Sequence, residues 1–384
     1  IAGLGDSLPA LFCEEAGVVL QLARKHLSRV RELAVEAGLG DCLHEIGRPV
    51  ESPQITIHSA TGQIYAGSRG ALQGLWAATS YHVQRIRDNS DCADQEYELI
   101  ADDSDPGLNI ELSFDPSDDI TAPYINCDSK PRVAVLREQG VNGQVEMAAA
   151  FDRARFTAID VHMTDLICGR VKLDEFNLLV ACGGFSYGDV LGAGGGWAKS
   201  VLFNDELRSS FQQFFANPNT LSLGICNGCQ MMALLTDMIP GAGHWPRFAR
   251  NRSEQFEARV SVVQVEDSPS AFLAGMVGSR LPIPVAHGEG RAELDGPADL
   301  QQLNGRIALR YVDNRGRPAE IYPANPNGSV AAIAGVCSSD GRATIMMPHP
   351  ERAFRSVLNS WHPDDWGEDG PTLRMFRNAR KWFD

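Results

Sequence analysis

The residues with the clearest capacity for covalent chemistry lie between Leu221 and Met232, written Leu-Ser-Leu-Gly-Ile-Cys-Asn-Gly-Cys-Gln-Met-Met. An apolar run ends at Ile225, the chain turns through Gly224-Ile225-Cys226-Asn227-Gly228, and the residues that follow suit a helix. Cys226 therefore falls at a strand-to-helix turn with a glycine two residues to either side. Such glycines allow a sharp turn that lifts the central side chain out of the sheet edge, the arrangement of a nucleophile elbow. A sulfur placed over a helix N-terminus meets unpaired N–H groups and the positive end of the helix dipole, which favour thiolate. Other readings of the same residues stay open. A free cysteine is commonly a core residue, and Cys226 with Cys229 is formally a Cys-x-x-Cys that suits a thiol-redox pair or two metal ligands. No second Cys-x-x-Cys and no His pair at ligand spacing follows, so no metal is expected.

Two more apolar runs end in residues able to serve such a nucleophile. Val180-Ala181-Cys182 leads into Gly183-Gly184-Phe185-Ser186-Tyr187-Gly188-Asp189. An N–H from Gly184 beside that of Asn227 would make a two-donor oxyanion hole; the plainer alternative is a glycine turn. Ala343 to Met347 ends in Pro348-His349-Pro350-Glu351-Arg352. His349 can take the thiol proton and Glu351 can fix its tautomer and stabilise imidazolium, against the alternative of a satisfied structural histidine.

Positioning these ends requires alternating strands and helices. From Arg132 the pattern supplies them: strands at Arg132 to Leu136, Ala158 to His162 and Asn177 to Ala181, and helices at Asn142 to Ala154 and Gly195 to Phe215, before the elbow strand. This order predicts an α/β fold with a mainly parallel sheet and helices on both faces, whose active sites lie at the C-terminal strand ends. Residues 1–88 read as a small α+β unit: a strand at Val18 to Leu22, a helix at His26 to Ala37 stopped by Gly38 to Gly40, a hairpin of Gln54 to His58 with Gln63 to Tyr65, and a helix from Arg69 to Arg87. The last has Leu72, Leu75, Trp76, Thr79 and Val83 on its apolar side. No nucleophile, phosphate loop or metal spacing occurs in this part.

The 384 residues are 43% apolar and 22% charged, an ordinary globular composition with room for two domains. The net charge of −15 is concentrated, because Asp88 to Ser129 hold thirteen Asp or Glu and no Lys or Arg. That stretch, broken by Asp105-Pro106-Gly107, Asp115-Pro116 and Ala122-Pro123, reads as a solvated, mostly irregular connector over 89–130. No basic stripe speaks for nucleic acid, and no run approaches a membrane span or signal segment. Nine cysteines at irregular spacing fit a reducing compartment, so a cytoplasmic protein is expected. An opening at Ile1 without an initiator Met suggests a piece of a longer chain.

With Gly-Ile-Cys-Asn-Gly-Cys-Gln, Gly-Gly-Phe-Ser-Tyr-Gly-Asp and Pro-His-Pro-Glu-Arg in this order, residues 131–384 resemble the class I (triad) glutamine amidotransferases, a flavodoxin-like domain. More narrowly they are similar to the glutaminase end of the large phosphoribosylformylglycinamidine synthases of purine biosynthesis. Supporting phrases are Val135 to Asn142, the Gly-Trp-Ala-Lys ending at Lys199, His287-Gly288-Glu289-Gly290-Arg291, Arg310 to Asn314 and Tyr322 to Ser329. Residues 1–88 then resemble the last piece of the synthetase half and 89–130 its linker. The resemblance implies Cys226 as nucleophile, His349 as base and then acid, Glu351 as its orienter, and Gly184 and Asn227 as the oxyanion hole. Gly183, Gln230 and His287 would lie at bound glutamine. It implies a γ-glutamyl thioester, with ammonia crossing inside the protein to an N-terminal synthetase half. The glutaminase needs no cofactor, while the synthetase uses ATP and Mg2+ on residues mostly upstream of those present. The alternatives are a cysteine hydrolase of γ-glutamyl peptides and a non-catalytic scaffold.

Overall fold

Runs such as Leu178–Ala181 and Leu221–Ile225 are apolar at almost every position, which suits strands covered on both faces and not the alternation of a half-exposed sheet. In the computed structural model both are buried throughout. The structure describes residues 1, 3–127 and 129–384; Ala2 and Asp128, which the sequence reading puts in the N-terminal unit and the acidic connector, lie outside the described residues. The strands in chain order are β1 (Gln54–Ser59), β2 (Gly62–Ser68), β3 (Arg132–Arg137), β4 (Thr157–His162), β5 (Leu178–Ala181), β6 (Leu221–Ile225), β7 (Arg247–Ala249), β8 (Glu257–Val265), β9 (Arg280–His287), β10 (Arg291–Glu293), β11 (Ile307–Val312), β12 (Ile333–Cys337) and β13 (Ala343–Met346).

Contacts divide the chain into two units, residues 1–81 with 97–103, and residues 82–96 with 104–384. The larger holds a nine-stranded sheet in the order β4-β3-β5-β6-β13-β12-β11-β8-β9. Its first five strands pair in parallel and the other four extend the sheet antiparallel. Taken alone, the parallel strands run second, first, third, fourth, fifth in chain order, the flavodoxin-like winding. The α/β expectation holds. Crossover helices include Gln144–Arg153, Gly195–Leu202, Asp205–Ala216 and Asn227–Ala233. The single helix expected over Gly195 to Phe215 is broken in two, because the Asn204 side chain accepts the Leu207 N–H at 3.1 Å and starts a new helix. Among the described residues no helix is long and apolar enough to cross a membrane.

The smaller unit has the expected β1–β2 hairpin and the helices Leu27–Glu36 and Arg69–Arg87, the latter running on into the larger unit. The strand expected at Val18 to Leu22 is not formed; Val18 and Val19 are 86% and 79% exposed. A strand exists only through its ladder, and β propensity alone supplies no partner. The acidic stretch departs from expectation at its start and is mostly irregular beyond it. It opens with a helix, Ser90–Glu98, started where the Asn89 side chain accepts the Cys92 N–H. Several of its carboxylates are paired, with the Asp91, Glu111 and Asp118 side chains still more than half exposed: Asp91 with Arg252, Glu111 with Arg280, Asp118 with Arg374, and Asp119 with Arg155 and Arg377. A segment without a basic residue of its own is matched by arginines far along the chain, which composition within a window does not reveal.

Candidate active site

Cys226 follows β6 directly, at φ 50° and ψ −108°, a conformation that costs a residue with a side chain and persists only where the surroundings enforce it. Its N–H donates to the Met346 carbonyl and its own carbonyl accepts from Gln230 N–H, both at 2.9 Å, so the turn is held from β13 on one side and the helix Asn227–Ala233 on the other. Gly228 permits the close approach: a Cβ there would lie 2.0 Å from the Ala181 carbonyl oxygen. β13 ends one strand over, and the chain beyond it brings in His349, whose N–H donates to the Pro284 carbonyl of β9 at 2.8 Å.

Gly183 lies where the nucleophile and the imidazole converge. A Cβ at this position would stand 2.7 Å from His349 Cε1 and 3.3 Å from Cys226 Cβ. On the far side of the ring, His349 Nδ1 and Glu351 Oε1 are 2.6 Å apart, with both residues buried. Burial alone would drive the ring towards neutrality, but Glu351 and then Cys226 reverse this and raise the His349 pKa to about 10. An imidazole that keeps its proton at neutral pH sets positive charge beside the sulfur, the environment of an activated cysteine. The thiol is directed towards the Ala286 carbonyl oxygen at 3.5 Å, and His349 Nε2 has no aligned hydrogen bond among the described residues. The proton that His349 already holds is the one it can give to a leaving group, and hydrogen bonds of this kind tighten when substrate binds. Cys229, three residues on and buried, has its thiol pushed well up by burial and by Cys226. All nine cysteines are free, so Cys226 and Cys229 are unlinked.

Gly184 forms an antiparallel bridge with Val141. The flanking bonds run from Asn142 N–H to Gly183 O and from Phe185 N–H to Gly140 O, so the Gly184 N–H takes no part in that ladder. The Asn227 N–H opens a helix, where the first N–H groups have no intrahelical acceptor. Asn227 is fully buried, and its side chain accepts from Ser186 N–H at 3.2 Å and donates to Asp189 at 3.0 Å and to Gln230 at 3.3 Å. Gln230 in turn donates to the Glu289 carbonyl, and the Glu289 carboxylate accepts from Ala193 N–H. His287 is 2% exposed, neither ring nitrogen has a hydrogen-bond partner among the described residues, and burial with the charge of His349 pushes its pKa down to about 3.

Thus Cys226, His349, Glu351 and Gly183 come together, Gly184 and Asn227 flank them, and Gln230 joins the same network through Asn227. His287 is a buried neutral ring one residue beyond the carbonyl that faces the sulfur. Sequence reasoning did not single out Asp189 or Glu289 as members of this network, although both stand in the phrases Gly-Gly-Phe-Ser-Tyr-Gly-Asp and His-Gly-Glu-Gly-Arg. The carbonyls of Pro284 and Ala286 had no signal to find, because main-chain contacts leave no trace in residue type. Among the described residues no group of three or more His, Cys, Asp or Glu could hold a metal ion.

Residues 130–383 match the CobB/CobQ-like glutamine amidotransferase domain. PurLQS from Thermotoga maritima is similar at 26% identity and a TM-score of 0.51, over 67% of this chain and 100% of that one. A glutamine amidotransferase from Thermotoga maritima aligns at 19% identity and a TM-score of 0.36, over 58% of this chain and 77% of that one.

Proposed function

The chain belongs to the CobB/CobQ-like glutamine amidotransferase domain family, and on that footing we propose that it hydrolyses glutamine through a thioester on Cys226. The ammonia released serves the ATP-dependent conversion of formylglycinamide ribonucleotide to formylglycinamidine ribonucleotide in purine biosynthesis. The observation that carries the chemistry is the convergence of Cys226 and His349 on Gly183 with Glu351 behind the ring. Similarity to PurLQS supports the choice of acceptor reaction.

The cycle uses this chain's own groups. The Cys226 sulfur attacks the carboxamide carbon of glutamine, and the N–H groups of Gly184 and Asn227 receive the developing oxyanion. His349, oriented by Glu351, gives its proton to the departing nitrogen, so the C–N bond breaks, ammonia leaves and a γ-glutamyl thioester remains. Water then attacks the thioester while His349 takes its proton, and glutamate leaves with the sulfur restored. Gly183, Gln230 and His287 line the glutamine site in this reading. ATP with its Mg2+ would supply the activation of the amide acceptor, and we assign both to a synthetase half that partners this chain. A cytoplasmic setting belongs to the same proposal.

The test is ammonia release from glutamine by Cys226→Ala and Cys229→Ala, with the synthetase half and its substrates supplied. Loss in the first alone is expected. Equal loss in both would return the pair to the redox reading, and turnover of γ-glutamyl peptides without glutamine would select a peptidase.

A further inference from the structure

The two N–H groups expected at the oxyanion stand on different elements. That of Asn227 opens the helix Asn227–Ala233, and that of Gly184 lies on the loop 183–189 that leaves β5. On one flank this loop is stitched to the end of β3 by the main chain. Gly183 O accepts from Asn142 N–H (3.2 Å) and Gly143 N–H (3.0 Å), Phe185 N–H donates to Gly140 O (2.9 Å), and Tyr187 N–H donates to Gln139 O (2.9 Å). On the other flank, among the described residues, no main-chain hydrogen bond joins residues 184–189 to the nucleophile helix. The Asn227 side chain makes that join, accepting the Ser186 N–H at 3.2 Å and donating to Asp189 at 3.0 Å.

A carboxamide suits this place in a way that other side chains of its size do not. The Ser186 N–H can only donate, so the amide oxygen faces it and the amide nitrogen faces Asp189. The two hydrogens of that nitrogen go to Asp189 Oδ1 and, at 3.3 Å, to Gln230 Oε1, while Gln230 is anchored at its other end by the Glu289 carbonyl. Asn227 is 0% exposed, and without its oxygen the buried Ser186 N–H would be left unpaired. An aspartate of equal size would set an acceptor against two acceptors, Asp189 and Gln230 Oε1. The loop so held is strained: Tyr187, Gly188 and Asp189 stand at φ 54°, 62° and 54°, a left-handed run that persists only where contacts over-determine it.

We propose that the Asn227 carboxamide is a tie that holds the loop bearing the Gly184 N–H against the helix bearing the Asn227 N–H, and so sets the spacing of the two oxyanion donors. The side chain acts by positioning, since its partners are Ser186, Asp189 and Gln230 and not the reacting atoms. Any residue at 227 other than proline keeps the main-chain N–H, so the two roles of Asn227 are separable. The kinetic consequence rests on the glutaminase reading and the structural one on the fold alone. A tie that serves the transition state lowers kcat when cut and leaves KM in place. Removing an oxyanion donor outright costs about 10²- to 10³-fold, so misplacing one is expected to cost about ten- to a hundredfold.

The experiment compares Asn227→Ala, Asn227→Asp, Asp189→Asn and the double variant Asn227→Asp/Asp189→Asn in the enzyme with its synthetase half supplied. The double variant exchanges donor and acceptor across the Asn227–Asp189 bond and keeps an oxygen for the Ser186 N–H. The expected result is a kcat for glutamine about ten- to a hundredfold lower in Asn227→Ala with KM within about threefold, a loss at least as large in Asn227→Asp, and a milder one in Asp189→Asn, which keeps an acceptor. The double variant is expected to recover about tenfold or more over Asn227→Asp. Amide hydrogen exchange over residues 183–189 is expected to quicken in Asn227→Ala and Asn227→Asp and to slow again in the double variant, whether or not glutamine is turned over. Should Asn227→Asp fail to fold, recovery of a melting transition in the double variant reads the same pairing. A double variant no better than Asn227→Asp, a KM rise equal to the kcat loss, or unchanged exchange in Asn227→Ala would each overturn the tie. A parent enzyme without turnover but with quickened exchange in the single variants and its reversal in the double would instead reject the glutaminase reading and keep the tie.

Discussion

Helices and strands were legible in both units, and the two ended in opposite states of burial. In the larger, Val133, Ala134, Val135, Leu178, Leu179 and Leu223 are 0% exposed. In the smaller, no described residue is buried, and Leu75 and Trp76, on the apolar side of the helix Arg69–Arg87, are 76% and 84% exposed. Local pattern makes an element, but only a facing surface turns its apolar side into stability. The amidotransferase unit contains both halves of that arrangement. A rigid sheet under the strand ends is also what holds a catalytic constellation within the tolerance that chemistry demands.

The sharpest way to break this contrast is at the buried pair His349 and Glu351. Glu351→Gln is expected to cut glutamine turnover by about 10²- to 10⁴-fold through loss of the oriented, charged ring. The same change has a signature in stability. The His349 pKa is raised in the fold above its ordinary value of 6.5, so its charged form stabilises the fold fully below about pH 6.5 and that contribution is lost as pH rises through about 10. Melting of the parent and of Glu351→Gln across pH 6 to 10 should show the gap between them widest at the acid end and closing at the basic end. A gap that widens with pH would reverse the assignment.

Next in size comes the core itself. Leu223→Ala, in a strand buried on both faces, is expected to cost about 2–5 kcal/mol of unfolding free energy. Trp76→Ala removes a larger side chain from the smaller unit and is expected to change stability by no more than about 0.5 kcal/mol. Denaturant titration of both variants measures the difference, and a Trp76→Ala penalty as large as that of Leu223→Ala would show that the face is covered in solution.

The candidate site was legible where chemistry is written in adjacent residues. Cys226 between two glycines marks a turn by itself, and His349 with Glu351 two residues on marks a ring and its partner. The elements beneath them were legible because strand and helix periods differ. The rest depended on distant partners. Val18 to Leu22 has β-forming residues but no second strand, the Ser90–Glu98 helix began at a cap inside an acidic run, and the arginines that match that run come from Arg155 to Arg377. Asn227 was expected to give a backbone N–H, yet its side chain also ties the loop of Ser186 and Asp189 to Gln230. No spacing in the chain announces that knot, because its members are joined only after the sheet has formed.

The most direct measurement is to mix the enzyme with glutamine, quench within a turnover and weigh the peptide that carries Cys226. The account predicts a γ-glutamyl group on Cys226, absent from Cys226→Ala and retained in Cys229→Ala. Ammonia release with no adduct on any residue, or with the adduct on Cys229, would contradict it.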